Sequence, residues 1–244
     1  MASVPKFPYY NPFDYRKGTL TAGLDYVAAN IKDPNFDDII TAVLAYYASL
    51  PTPITGDAAA AIEIIIRSTA NDYINGNIGR QLNFDAGGQA LMRTVLWGVK
   101  NNSIDSLDMF LDGVLEQLTG ATGVNSISKT SLYVALALAT ESNSYWNNVV
   151  DKPGSWAAFI NSQQAINYAN IPFWISATYM SSLSGFAQVQ APNIAEATEV
   201  NGQSRLHAVT GAVAVAIALT SAQVILKWAK RPKLIYPTRS PMIR

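Results

Sequence analysis

Residues 208–226 read AVTGAVAVAIALTSAQVIL, a run of nineteen side chains without a charge. Their mean hydropathy of about +2 per residue lies in the range of transmembrane helices. Small residues recur four positions apart, which lets helix backbones approach closely; they are Ala208, Ala212, Ala216 and, in a second row, Ala214, Ala218, Ala222. The segment predicts a long apolar helix over about residues 203–230.

Three interpretations of this helix are open. It is the central helix of an α-helical core, apolar on every side because neighbours surround it. Alternatively it is one transmembrane helix over residues 206–228, with Trp228 and the following basic residues as an interfacial anchor. The third interpretation is a helix between subunits. Four polar residues weaken the transmembrane interpretation, namely Thr210, Thr220, Ser221 and Gln223.

Helical spacing of apolar residues continues upstream through the middle of the chain. The clearest run follows Ser103, a candidate cap, and contains Leu107, Phe110, Leu111, Val114, Leu115 and Leu118. Asp85 and Ser128 are predicted to cap two further helices. We find neither strand-length alternation nor a repeat of solenoid period. The predicted fold class is therefore all-α, a multi-helix bundle with extended arms at both ends.

The pattern divides the chain into four parts. Residues 1–18 form an extended arm rich in Pro and aromatic side chains, and residues 19–200 form the α-helical body. Residues 201–230 form the apolar helix, and residues 231–244 form a basic extended tail. Within the body and the apolar helix, six residues are predicted to be buried: Ile65, Ile66, Leu111, Leu115, Val213 and Ile217.

The N-terminal arm is predicted to contact another surface. Aromatic side chains are rare in disordered segments and need a surface to cover them. The arm residues predicted to make such contacts are Tyr9, Tyr10, Phe13 and Tyr15. Because residues 1–18 contain no apolar signal-peptide core, we expect a cytoplasmic assembly or a virion, with a membrane location as the alternative.

The charge is balanced overall but unevenly distributed. Residues 1–200 carry ten basic and seventeen acidic side chains, a net charge of −7, whereas the last 44 residues carry seven basic and none acidic. Such a tail fits an acidic groove of a neighbouring subunit, nucleic acid or an anionic lipid surface. The predicted contact residues of the tail are Lys227, Trp228, Lys230, Arg231, Lys233, Tyr236 and Arg239; those of an acidic helix face opposite it are Asp105, Asp108 and Asp112.

The composition excludes several classes of site. The chain has no Cys and a single His, which removes disulfides, thiol nucleophiles and most zinc sites. Residues 123–130 resemble a phosphate-binding loop whose second Gly is replaced by Ser128, and Ser128 is better interpreted as a helix cap. Glu63, four residues before Arg67, favours a helix ion pair over a buried general acid. We therefore predict no catalytic residue, no metal and no cofactor.

The sequence favours a structural role. Charged residues make up 14% of the chain, well below the usual quarter, so much of the surface is neutral. Such a surface suits burial against other subunits or lipid. We expect a non-enzymatic subunit of a self-assembling homo-oligomer, such as a virion, phage particle or filament, whose arms contact its neighbours. The alternatives are an accessory subunit of a membrane complex, anchored by residues 206–228, and a carboxylate-dependent enzyme.

Overall fold

The structure is a computed structural model that describes residues 18–31, 35–74, 84–148, 154–156, 171–190 and 202–229. Within these ranges the regular elements are eight helices: α1 (Thr19–Asn30), α2 (Phe36–Ala48), α3 (Gly56–Ile74), α4 (Ala86–Asn101), α5 (Ile104–Gly120), α6 (Ser126–Asn148), α7 (Ile171–Gln190) and α8 (Gly202–Ala229). The predicted all-α bundle is confirmed. The predicted extended arms lie outside the described residues, apart from Gly18.

Helix α8 lies in the centre of the bundle. It packs against five other helices, α1, α2, α3, α6 and α7. All its side chains and glycines from residue 211 to residue 221 are buried. A helix with neighbours on all sides needs no polar face, which explains the apolar run of residues. This position agrees with the interpretation of the segment as the central helix of an α-helical core.

The predicted length of this apolar helix is not confirmed. Side chains of α8 are described only for residues 209–225. Within the part of the chain that the structure describes, no helix is long and apolar enough to cross a membrane. The transmembrane segment proposed as an alternative for residues 206–228 is therefore not found there.

Helices α5 and α6 run antiparallel, as two pairs of side chains show. The hydroxyl of Tyr133, near the start of α6, donates to Thr119 Oγ1 near the end of α5, at 3.3 Å. At the opposite end, Asn143 Nδ2 donates to Asp108 Oδ1 at 2.9 Å. The start of α5 and the end of α6 therefore lie at the same end of the bundle.

Helices α6, α7 and α8 also alternate in direction. The hydroxyl oxygens of Ser142 and Thr178 lie 3.1 Å apart, and that of Thr178 lies 2.8 Å from the hydroxyl oxygen of Thr220. The ring centroids of Trp146 and Trp174 are 4.3 Å apart, so moving forward along α6 means moving backward along α7. The three buried hydroxyl groups bind one another across three helices, which satisfies polar groups that have no access to water.

Two glycines allow helices to approach α8 closely. A Cβ on Gly185 of α7 would lie 3.0 Å from the Cβ of Val215 and 3.2 Å from the Cα of Ala212. A Cβ on Gly23 of α1 would overlap the end of the Ile217 side chain. Close backbone approach between α7 and α8 is the property that the small-residue spacing of α8 predicts.

The predicted core is confirmed at four positions and wrong at two. Ile66, Leu111, Val213 and Ile217 are 2% exposed or less. Ile65 and Leu115 are only partly buried, although they pack against the core. Helical spacing shows which face of a helix is apolar, but the edge of that face is set by neighbouring helices, which the local pattern does not contain.

Candidate interaction surface and buried polar groups

The end of the α4–α5 hairpin presents two large apolar side chains to solvent. Trp97 on α4 is 63% exposed and Met109 on α5 is 80% exposed. Gly98 of α4 and Phe110 of α5 are in tight contact, since the ring of Phe110 occupies the space that a Cβ on Gly98 would need. Trp97 directly precedes Gly98, and Met109 directly precedes Phe110. Asn102 closes the hairpin by donating from its backbone N–H and its side-chain amide to the Gly98 carbonyl, both at 2.9 Å. The two apolar side chains therefore lie at the same end of the bundle.

Four exposed carboxylates follow the outer face of α5, and we call them the acidic stripe: Asp105, Asp108, Asp112 and Glu116. They are three or four residues apart, so they lie one above the other on the helix, and exposed Met109 lies among them. Asp108 accepts the hydrogen bond from Asn143 described above. The described residues provide no ion pair to the acidic stripe.

The other residues predicted to make contacts fall outside what the structure describes. Tyr9, Tyr10, Phe13 and Tyr15 lie in the undescribed range 1–17, and Lys230, Arg231, Lys233, Tyr236 and Arg239 lie in 230–244. Lys227 and Trp228 belong to α8, but their side chains are not described. Among the predicted contact residues, the structure places Asp105, Asp108 and Asp112 on one surface, and the role of the remainder stays a prediction.

The predicted ion pair on α3 is confirmed and extended. Arg67 Nε lies 2.8 Å from Glu63 Oε1, and Arg67 Nη1 lies 2.8 Å from Asp37 Oδ1 of α2. These hydrogen bonds raise the pKa of the Arg67 guanidinium. Because Glu63 is partly exposed and paired, it is not a buried general acid.

Residues 123–130, which resemble a phosphate-binding loop, connect the starts of α4 and α6 through hydrogen bonds. Asp85 caps α4 by accepting from the Gly88 N–H at 2.7 Å, as predicted, and its other oxygen accepts from the Asn125 N–H at 2.6 Å. The Asn125 side chain in turn accepts from the Ser128 N–H at 2.8 Å. The predicted cap at Ser128 is therefore wrong, because α6 begins at Ser126 and the capping side chain is Asn125.

A buried carboxylate on α6 has no counterpart in the sequence predictions. Glu141 is 6% exposed, and its Oε1 accepts from the Thr21 N–H at 2.8 Å, in the first turn of α1. The residue before α1 is Gly18, which has no side chain to cap the helix. Glu141 therefore supplies from a distant helix the acceptor that a local Ser or Asp usually supplies. Burial raises the pKa of Glu141, while backbone hydrogen bonds from Thr21, Gly18 and Leu20 oppose the rise.

Three buried polar groups on α6 and α7 lack a hydrogen-bond acceptor among the described residues. Among the described residues, the indole N–H groups of Trp146 and Trp174 and the hydroxyl of Tyr179 make no hydrogen bond. Burial raises the pKa of Tyr179, so its hydroxyl keeps its proton at neutral pH. All three groups can act as hydrogen-bond donors.

The described part of the chain shows no cluster of His, Cys, Asp or Glu able to hold a metal ion. The chain matches no protein-family model, and no curated protein or solved structure is significantly similar to it. Function must therefore be inferred from the surface and the charges of this chain alone.

We expect Glu141 and Asp85 to change stability with pH in opposite directions. A carboxyl with a raised pKa binds more protons in the folded than in the unfolded state, so the contribution of Glu141 to the free energy of unfolding decreases as the pH rises above its usual pKa. Hydrogen bonds from the Asn125 and Gly88 N–H groups hold the pKa of Asp85 below its usual value. The contribution of Asp85 to the free energy of unfolding is therefore lost as the pH falls from its usual pKa to its lower folded-state pKa.

The measurement is urea unfolding of wild type, Glu141→Gln and Asp85→Asn from about pH 3 to pH 8. Relative to Glu141→Gln, wild type should lose stability as the pH rises above 4.5. Relative to Asp85→Asn, it should lose stability as the pH falls below 3.8. Equal pH dependence of wild type and Glu141→Gln would contradict the burial of an ionisable Glu141.

Proposed function

We propose that this protein is a non-enzymatic structural subunit that assembles with copies of itself. The observation that supports this most is the exposure of Trp97 and Met109 at the same end of the α4–α5 hairpin, with Met109 among the carboxylates of the acidic stripe. Aromatic residues and Met are enriched at protein interfaces, where they fill pockets of the partner. A Trp that leaves most of its surface in water loses the free energy that burial against a partner would provide.

A third exposed apolar residue lies on another helix of the bundle. Ile64 on α3 is 67% exposed. Helix α3 packs against α2, α7 and α8, whereas α4 packs against α5, α6 and α7, and α5 packs against α4 and α6. Exposed apolar side chains on two separate regions suit a subunit that contacts more than one neighbour, as subunits of rings, shells and filaments do.

Removing the two apolar side chains of the hairpin should weaken assembly without unfolding the body. Trp97→Ser and Met109→Ser should each raise the dissociation constant about tenfold or more, since a hot-spot residue of an interface costs about 2 kcal/mol or more when truncated. Because both side chains are exposed, the free energy of unfolding should change by less than about 0.5 kcal/mol.

The measurement is sedimentation velocity over a range of concentrations. Gln117→Ser, an exposed polar position on α5, is the matched control and should assemble as wild type does. A wild-type protein that sediments as a 26.3 kDa monomer at every concentration would exclude the proposed function.

A further inference from the structure

Trp97 and Met109 lie on the same side of the α4–α5 hairpin. A connection of two residues separates the helices, and Gly98 contacts Phe110, so α5 turns back along α4. Viewed from one end, two antiparallel right-handed helices turn in opposite senses along the chain. The residue before each contact residue is therefore turned to the same side. The buried residues of the hairpin occupy the other side; they are Val95, Val99, Leu107 and Leu111.

Charged side chains flank the two apolar ones with the same spacing on both helices. A cation lies four residues before Trp97 and another lies three residues after it, and a carboxylate lies at each of these two distances from Met109. Residues three or four positions apart share one face of a helix. These six exposed side chains form a surface that we call the hairpin face: Arg93, Trp97 and Lys100 on α4, and Asp105, Met109 and Asp112 on α5.

The charges of the hairpin face form no ion pair within the described part of the chain. The ion pairs found there are those of Arg67 with Glu63 and Asp37. The cations on α4 and the carboxylates on α5 therefore remain as two neighbouring rows of opposite sign, each with a large apolar side chain in its middle. A partner that fits this surface needs the same two rows in exchanged positions.

A second copy of the chain supplies that arrangement. When a two-fold axis runs parallel to the hairpin between two facing copies, α4 of each copy lies against α5 of the other, so each row meets a row of opposite sign. An axis across the hairpin would place α4 on α4 and α5 on α5. That arrangement opposes like charges, which is unfavourable at an interface. The charges therefore favour the axis parallel to the hairpin.

The heights of the residues along the hairpin agree with this pairing. From the helix contact at Gly98, Arg93 lies about 7.5 Å along α4 and Asp112 about 3 Å in the same direction along α5, at about 1.5 Å per residue. In the other direction Lys100 lies about 3 Å and Asp105 about 7.5 Å from this contact. An axis parallel to the hairpin preserves these heights, so each cation is offset by about 4.5 Å from the opposite carboxylate, and the two apolar side chains by about 3 Å. Side chains as long as Arg, Lys, Trp and Met span such offsets.

We propose that the hairpin face is a contact between two copies of the chain, related by a two-fold axis, with Trp97 of each copy against Met109 of the other. This contact rests on the proposed self-assembly and specifies its surface and its symmetry. Burial of the apolar side chains provides affinity, and the two rows of charge fix the orientation of the copies. The attraction between the exposed charges decreases as the ionic strength rises.

Two variants of opposite sign test the contact by sedimentation velocity. The first, Arg93→Glu/Lys100→Glu, makes the row on α4 acidic; the second, Asp105→Lys/Asp112→Lys, makes the row on α5 basic. In each variant rows of like charge face each other, and the two-fold axis repeats the repulsion. The dissociation constant should therefore be at least tenfold higher than that of wild type. Asp57→Lys, an exposed position on α3, is the matched control and should assemble as wild type does.

Two combinations should recover assembly. In an equimolar mixture of the two variants, the acidic α4 of the first faces the basic α5 of the second, and their unchanged rows face each other with opposite signs. A single chain with all four substitutions should assemble without a second variant, because its two rows have exchanged signs. All the substituted positions are exposed, so circular dichroism at 222 nm should show the helical content of wild type in every variant.

Three results would overturn the inference. If wild type assembles and neither variant is weaker, the copies meet through another surface, and the proposed function stands. If both variants are weaker but neither combination recovers assembly, the hairpin face binds a different surface of the chain or a different protein. A wild type that is monomeric at every concentration overturns the proposed function and this contact together.

Discussion

Trp156→Ala should lower the free energy of unfolding by about 3–5 kcal/mol, the usual cost of truncating a buried aromatic residue. Trp156 is completely buried. Its indole N–H binds Ser221 Oγ on α8, and its backbone N–H binds the hydroxyl of Tyr145 on α6. The substitution removes the ring that fills the space between these helices and leaves the Ser221 hydroxyl without its donor.

Trp156→Phe separates the contribution of the buried ring from that of the indole hydrogen bond. It keeps most of the ring volume but loses the indole N–H, so the expected cost is about 1–3 kcal/mol. The measurement is urea unfolding followed by circular dichroism at 222 nm, with equal denaturant dependence required of all three proteins. A loss below about 1 kcal/mol for Trp156→Ala would show that this residue is not part of the core.

The second large effect is expected at Leu111 on α5, and Leu115, one turn further along the same helix, provides the comparison. Leu111→Ala should cost about 2–5 kcal/mol, because Leu111 is 1% exposed and truncation removes buried surface and leaves a cavity. Leu115→Ala should cost only about 1 kcal/mol, since Leu115 is partly buried and solvent can occupy part of the space. The same unfolding experiment compares them, and equal losses would contradict the position of the core boundary on α5.

Local sequence rules predicted the features that depend on a few neighbouring residues. The Asp85 cap and the Glu63–Arg67 pair each involve side chains within four residues, and both are present in the structure. The prediction of a cap at Ser128 was wrong because local rules could not choose among neighbouring polar residues. Several polar residues precede α6, and spacing alone did not show that the Asn125 side chain binds the Ser128 N–H.

Features that depend on packing were outside the reach of the sequence. Glu141 lies among Thr, Ser and Asn in the sequence, a context typical of an exposed helix face. Its burial follows from the start of α1, 120 residues away, where Gly18 leaves backbone N–H groups without a local cap. Similarly, the exposure of Trp97 and Met109 depends on how α4 and α5 face the rest of the bundle. Of the candidate surface, only the acidic stripe could be predicted.

The central position of α8 has a consequence for the order in which the protein folds during synthesis. A ribosome produces α8 after the other seven described helices, yet five of those helices bury their apolar faces against it. Until α8 emerges, a nascent chain holds those faces without their partner, in a state prone to aggregation. The core is therefore completed only when residues 202–229 have left the ribosome, and any stop codon or proteolytic cut before residue 202 removes the helix around which the others pack.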